Sequence, residues 1–172
     1  MDISLKILPV PAAEITLSME CSQEQAIATM NRWAGTPLPL SAACCDGNQL
    51  HFRLSGTPKG VAAEKRKTGG DVIENSVGYW ESIREQSHPF FSAEELLWRL
   101  SLPPGTAPIS IPGRQLVECG VAQRWLISNA APETIWDIAR QADGQATLFR
   151  NGDRASQRFQ PPPGPHPIHA PC

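Results

Sequence analysis

No Cys-x-x-Cys pair occurs in this sequence, although it has five cysteines: Cys21, Cys44, Cys45, Cys119 and Cys172. That removes the common zinc spacings and the dithiol redox motif. The odd count speaks against a disulfide framework, and Cys44 and Cys45, adjacent on a strand, would point to opposite faces. They read as reduced thiols packed as small apolar groups. Long apolar runs are missing too, since nothing approaches the roughly 18 residues that span a bilayer. Met1-Asp2-Ile3-Ser4 lacks the basic start and apolar stretch of a signal peptide. Charge of one sign is also scarce. Fifteen Lys and Arg against 17 Asp and Glu leave a net charge of −2, which argues against nucleic acid or an anionic membrane as the main partner. What remains is a soluble, cytoplasmic chain of 172 residues, 41% hydrophobic and 19% charged, enough for one packed domain.

Motifs that carry chemistry are few. Gly69-Gly70-Asp71 follows the basic run Lys65-Arg66-Lys67 rather than a strand, and the stretch from Gly56 to Gly60 lacks the Lys-Ser/Thr of a phosphate loop. Both read as helix stop and turn. His51, His88, His166 and His169 are scattered, and no Ser/His/Asp set stands out, so no catalytic or metal-ligating residues are assigned. Three arginines are more informative. Arg53, Arg99 and Arg124 each sit in an alternating strand, opposite its apolar side. Two readings stay open: a solvated sheet face, or a face that receives an anionic ligand or a docking domain.

Alternation predicts strands around Ile3, Leu5 and Ile7 and around Ile15, Leu17 and Met19. Ser22 with Gln25 forms a capping box for a helix carrying Ala26, Ile27, Met30 and Trp33. Residues 38–45 form a strand that Pro39 confines to a late start or an edge, and Asp46-Gly47-Asn48 turns it into a partner with Leu50, Phe52 and Leu54 on one face. Thr57-Pro58 starts a short helix, and Ile73, Val77, Trp80 and Ile83 stripe another. Residues 96–102 make the strongest strand. Beyond it come strands at 115–119 and 123–128, a helix at 132–142 and a last strand at 146–150. The first part fits a βαββαβ, ferredoxin-like antiparallel sheet with helices on one face, extended by a second β-β-α-β unit, an α+β fold. From Gln160 onward six of thirteen residues are proline, which predicts an extended tail without core contacts.

Several of these segments, in order, carry a resemblance. They are Ile3-Ser4-Leu5-Lys6-Ile7-Leu8-Pro9, Pro37-Leu38-Pro39-Leu40-Ser41, Pro89-Phe90-Phe91, Leu97-Trp98-Arg99-Leu100-Ser101-Leu102-Pro103, Pro112-Gly113-Arg114-Gln115-Leu116-Val117-Glu118, Gln123-Arg124-Trp125-Leu126 and Ala146-Thr147-Leu148-Phe149-Arg150. Together they resemble the smaller FAD-binding subunit of bacterial glycolate oxidase, within the vanillyl-alcohol-oxidase-like flavoproteins, from about residue 2 to 154. The resemblance implies a cap, or substrate-side, domain at 13–156, after a leading strand and linker at 1–12 and before a disordered tail at 157–172. It further implies FAD as the cofactor of the complete protein, held by an N-terminal domain and a C-terminal segment that have no counterpart here. A truncated or split gene product, or a deliberately cut chain, is the expectation.

In the complete complex the reaction would be glycolate oxidation to glyoxylate by hydride transfer to FAD, alongside a larger flavoprotein subunit and an iron–sulfur subunit. The complex would be cytoplasmic or peripheral to the inner membrane. Arg99, Arg124 and Gln145 are the residues expected to face substrate or the flavin domain, with Arg99 and Arg124 approaching one surface. Two departures stand out: Cys119-Gly120-Val121 replaces the family's Trp-Gly-Gly, and Gln145 replaces the histidine before Ala-Thr-Leu. The rival reading is a non-enzymatic ferredoxin-like module that binds a small ligand or dimerises through its sheet, or a non-functional remnant.

Overall fold

The computed structural model describes residues 10–118, 120–152 and Phe159. The strand expected around Ile3, Leu5 and Ile7, Cys119 and the proline-rich segment from Gln160 with its two histidines lie outside the described residues. Eight strands form one sheet: β1 (Ala13–Glu20), β2 (Leu40–Asp46), β3 (Gln49–Gly56), β4 (Asp71–Val72), β5 (Leu97–Ser101), β6 (Arg114–Glu118), β7 (Gln123–Ile127) and β8 (Gln145–Arg150). Four helices accompany it: α1 (Gln23–Ala34), α2 (Pro58–Thr68), α3 (Ser76–Arg84) and α4 (Pro132–Gln141), with a 3-10 turn at Pro89–Ser92. The sheet order is β4-β1-β3-β2-β6-β7-β5-β8, and every pairing is antiparallel. The antiparallel α+β class read from the alternation is borne out.

Local chemistry explains the helix starts. At α1 the Ser22 hydroxyl accepts from the Gln25 N–H at 3.2 Å while the Gln25 side chain accepts from the Ser22 N–H at 2.9 Å, the reciprocal pair expected from the sequence. Thr57 caps α2, with Pro58 at its first position where no N–H is needed. Asn75 caps α3 through the Gly78 N–H.

The β4-β1-β3-β2 half is a split βαββαβ unit, but its fourth strand is not the 96–102 segment. Asp71–Val72 pairs with β1 at Leu17 and Ser18, so the stripe expected to start a helix at Ile73 begins it only at Ser76. The segment around Trp98 instead lies between β7 and β8 in the second half. Nor is β2 an edge: it lies between β3 and β6, starting at Leu40 because Pro39 supplies no N–H to a ladder.

Face by face, the sheet is apolar on both sides. One side packs α1 and α2 onto Leu17, Cys45, Phe52, Leu54 and Val117, and α4 onto Trp98, Leu126 and Leu148. Cross-strand register joins these two clusters on a single side, because Val117 opposes Arg124 and Leu126 lies two residues further along β7. Fully burying Ile27 or Met30 there is worth roughly 1.5–3 kcal/mol each. The other side holds Cys44, Leu97, Leu116, Trp125 and Ile127, covered by Ile83 of α3 and by Phe90 and Phe91. The expectation that the Trp80 helix would join the other helices on one face is therefore corrected. Its indole Nε1–H donates to the Thr16 hydroxyl at 2.9 Å, on the side of β1 opposite Leu17.

Candidate functional site

A hollow opens on the α3 side of the sheet, where the ladder thins. Among the described residues β2 pairs with β6 from Cys44 to Asp46, while its first residues pair with β3. Ile83, Trp80 and Arg84 of α3, together with Glu118 and Gly120, line this open hollow of about 630 Å³. Arg53 of β3 forms one wall.

Arg53 is held in place by a relay of hydroxyls. Its Nε–H donates to the Ser41 hydroxyl at 2.9 Å, Ser41 and Ser55 lie 2.6 Å apart, and Ser55 donates to Glu14 at 2.6 Å. The direct approach of Arg53 to Glu14 is longer, 3.8 Å. Its guanidinium carbon sits 5.8 Å from the Trp80 ring centroid. Arg84 is solvent-exposed and pairs with Glu85 at 2.7 Å. Glu118 spends one carboxylate oxygen on two donors, the Gln123 amide at 2.6 Å and the Trp125 indole at 2.7 Å.

Of the arginines singled out from the sequence, Arg53 and Arg99 share this side and Arg124 does not. Arg99 opposes Trp125 across the β5–β7 pair, so the neighbouring Arg124 points the other way. The shared surface expected for Arg99 and Arg124 is thus overturned. Arg99 is exposed, with its guanidinium 6.0 Å from the Phe149 ring. Gln145, also exposed, opposes Ser101 and so lies on the same side as Arg99. Arg124 is fully buried, and its Nη2 donates to the carbonyls of Thr106 at 2.8 Å and Ala107 at 3.0 Å. Burial pulls its pKa down to about 10, so it stays charged at neutral pH without a carboxylate partner. Its place is structural. Val121 has φ 73°, the left-handed region that a β-branched residue rarely takes; the glycine expected there by resemblance would adopt it freely.

Ser41, Trp80, Arg84 and Glu118 escaped the sequence reading. They come from three separate elements, and only Arg53, an arginine in an alternating strand, signalled the place.

Beside the cleft lies a half-buried titratable group, His51. The His51 ring lies 4.3 Å from that of Tyr79, tilted by 47°, and Tyr79 meets His88 edge-on at 5.8 Å, with Cys44 and Asp46 adjacent. The His88 Nδ1 accepts the Phe90 N–H at 3.3 Å and lies 3.7 Å from the Asp46 carboxylate. Burial, reinforced by His88 and opposed by Asp46, lowers the His51 pKa, while burial raises those of Cys44 and Tyr79. An imidazole held neutral when folded, against about 6.5 when unfolded, takes up more protons on unfolding. The sign follows: stability present above about pH 6.5 is lost as pH falls toward the lower folded pKa. The urea midpoint of the native chain is expected to drop more steeply between about pH 6.5 and 5 than that of His51→Gln. Equal slopes would contradict it.

FAD would place a specific demand on the described residues. The pyrophosphate calls for a cluster of free backbone N–H groups at a glycine turn or helix start. The helix starts at α1, α2 and α3 each give an N–H to their own cap, and Gly70 packs so tightly on β1 that a Cβ there would lie 2.8 Å from the Ser18 carbonyl. These positions do not fit the group; α4, with Pro132 at its first position and no side-chain cap, is the one described helix start left uncapped.

No family model matches the chain, and no solved structure matches it. The chain spans less than half, 43%, of the curated relative it matches. With 41% identity over 152 residues, 88% of its own length, the chain is similar to the glycolate oxidase subunit GlcE of Escherichia coli (strain K12), and the resemblance carried by its motifs is borne out.

Proposed function

We propose that this chain is the cap portion of an FAD-binding subunit of a glycolate oxidase complex, a sheet domain that covers a flavin held by other polypeptide. The identity of 41% along 88% of the chain carries this reading. In it, FAD belongs to the complete subunit, hydride transfer from glycolate to the flavin is the cofactor's chemistry, and the cap contributes surface. Arg99 and Gln145, exposed side by side on the second half of the sheet, are the residues that would meet the flavin-bearing part or its substrate. The remaining partners would be a larger flavoprotein subunit and an iron–sulfur subunit. No helix among the described residues is long and apolar enough to cross a membrane.

A polypeptide of these 172 residues is expected to purify colourless and to leave FAD fluorescence unquenched on titration. Mixed with the part of the Escherichia coli protein that the match leaves out, it is expected to co-elute with that part and with bound flavin. Saturable quenching at one flavin per chain would overturn the division of labour. Failure to co-elute would overturn the cap reading itself.

A further inference from the structure

We propose that the cleft between β2 and α3 is a binding site for an amphipathic organic anion: a carboxylate or phosphate head on an apolar body, taken up independently of flavin. The inference stands on the shape and chemistry of the cleft and does not need the cap reading. Three observations converge on it.

The first is Arg53. Its hydrogen bonds within the described residues use only Nε, which is spent on Ser41. The two terminal nitrogens, the fork that grips a carboxylate or phosphate in two parallel bonds, are left for something else. The relay through Ser41 and Ser55 to Glu14 and the ring of Trp80 fix the guanidinium plane beforehand, so little freedom is lost when an anion arrives. Arg84, its Nε paired with Glu85, lines the same hollow.

The second is the floor. Ala42 and Ile83 offer hydrocarbon next to the arginines, and small ligands are held in hollows of this kind, mostly apolar with a few placed polar groups. The third is size and polarity along the cleft. About 630 Å³ falls within the range of small-ligand sites and far exceeds what a two-carbon acid fills. Glu118 of β6, with β2 between it and Arg53 of β3, repels a second negative charge, so a ligand is favoured whose single anionic head meets Arg53. The cleft is thus distinct in kind from a glycolate site.

Titration of the full chain with 3-phenylpropionate as probe tests this, followed by the Arg53 Nε–H and Trp80 indole N–H signals in nitrogen-15 spectra. Saturable shifts at both signals are expected, with a Kd of about 1 mM or tighter. Inorganic phosphate and glycolate, which lack the apolar body, are expected to bind roughly tenfold more weakly. Arg53→Gln is expected to weaken the probe by about tenfold or more, and Arg53→Lys, which keeps charge but not the fork, by an intermediate factor. Arg84→Gln, at an exposed position that the fold does not depend on, is expected to weaken it by a smaller factor. Shifts from phosphate as strong as those from the probe would show a simple ion site and overturn the amphipathic claim. Unchanged affinity in folded Arg53→Gln and Arg84→Gln, or no saturation with the probe, would overturn the site. None of these readouts involves flavin, so their failure leaves the cap reading untouched.

Discussion

Arg124→Ala is expected to destabilise the chain by about 3 kcal/mol, a large share of the roughly 5–15 kcal/mol that holds a domain of this size. The guanidinium is fully buried and binds the Thr106 and Ala107 carbonyls, with a longer 3.5 Å contact from Nε to the Val121 carbonyl. Removing it leaves loop acceptors without donors, at about 1–3 kcal/mol each where they stay buried, and opens a cavity between β7 and the segment after Pro103. Part of this is returned, because a buried charge without a carboxylate is itself costly. Arg124→Met, which fills the space and removes the charge, should lose less than the alanine variant. Urea denaturation reads both. With a slope of about 2 kcal/mol per molar, the alanine midpoint falls by about 1.5 M. A midpoint that hardly moves would mean that the loop carbonyls find water at no cost.

Gly113→Ala should do more damage still, about 4 kcal/mol or more, so that little folded protein is recovered. Gly113 has φ 128°, and a Cβ built on it would lie 2.2 Å from the carbonyl oxygen of Ile127. That oxygen is backbone, in the residue that opposes Arg114 where β6 meets β7, so it cannot retreat without spoiling the ladder. Gly105→Ala is the matched control. Gly105 also has positive φ, 82°, but nothing lies within 4 Å of its missing Cβ, and the expected loss is only the conformational cost of about 1–2 kcal/mol. Soluble yield and urea midpoint distinguish the two; comparable losses would place the whole effect in φ and none in the contact.

What was legible in the sequence follows from where each signal lives. The helices announce themselves locally: Ser22 with Gln25, and Thr57 with Pro58, satisfy end groups within a few residues, and the structure shows both caps in place. β4 had no such signal, being two exposed residues without period, and its pairing with Leu17 and Ser18 is purely tertiary. The side taken by α3 was equally hidden. A stripe of Val77, Trp80 and Ile83 says that a helix has a greasy face but not which side of a sheet receives it. Here both sides are greasy, with Leu116 and Val117, or Trp125 and Leu126, turned to opposite cores. The same two-sidedness misplaced Arg124, because alternation marks an outer face only where one face meets water. As for the cleft, its polar groups come from β2, β3, α3 and β6, and no spacing along the chain could have drawn them together.

The adjacent thiols of β2 give the two-sided sheet a practical consequence. Cys44 belongs to the core beneath α3 and Cys45 to the core beneath α1, one peptide unit apart. Burial pushes the Cys45 thiol up to about 12 and that of Cys44 higher still, so neither carries appreciable thiolate while its cover is closed. Opening of the α3 side would bare Cys44, and opening of the α1 side Cys45. Each sulfur therefore keeps time for a different partial opening, and the ratio of their alkylation rates under native conditions measures which layer of the molecule breathes more often.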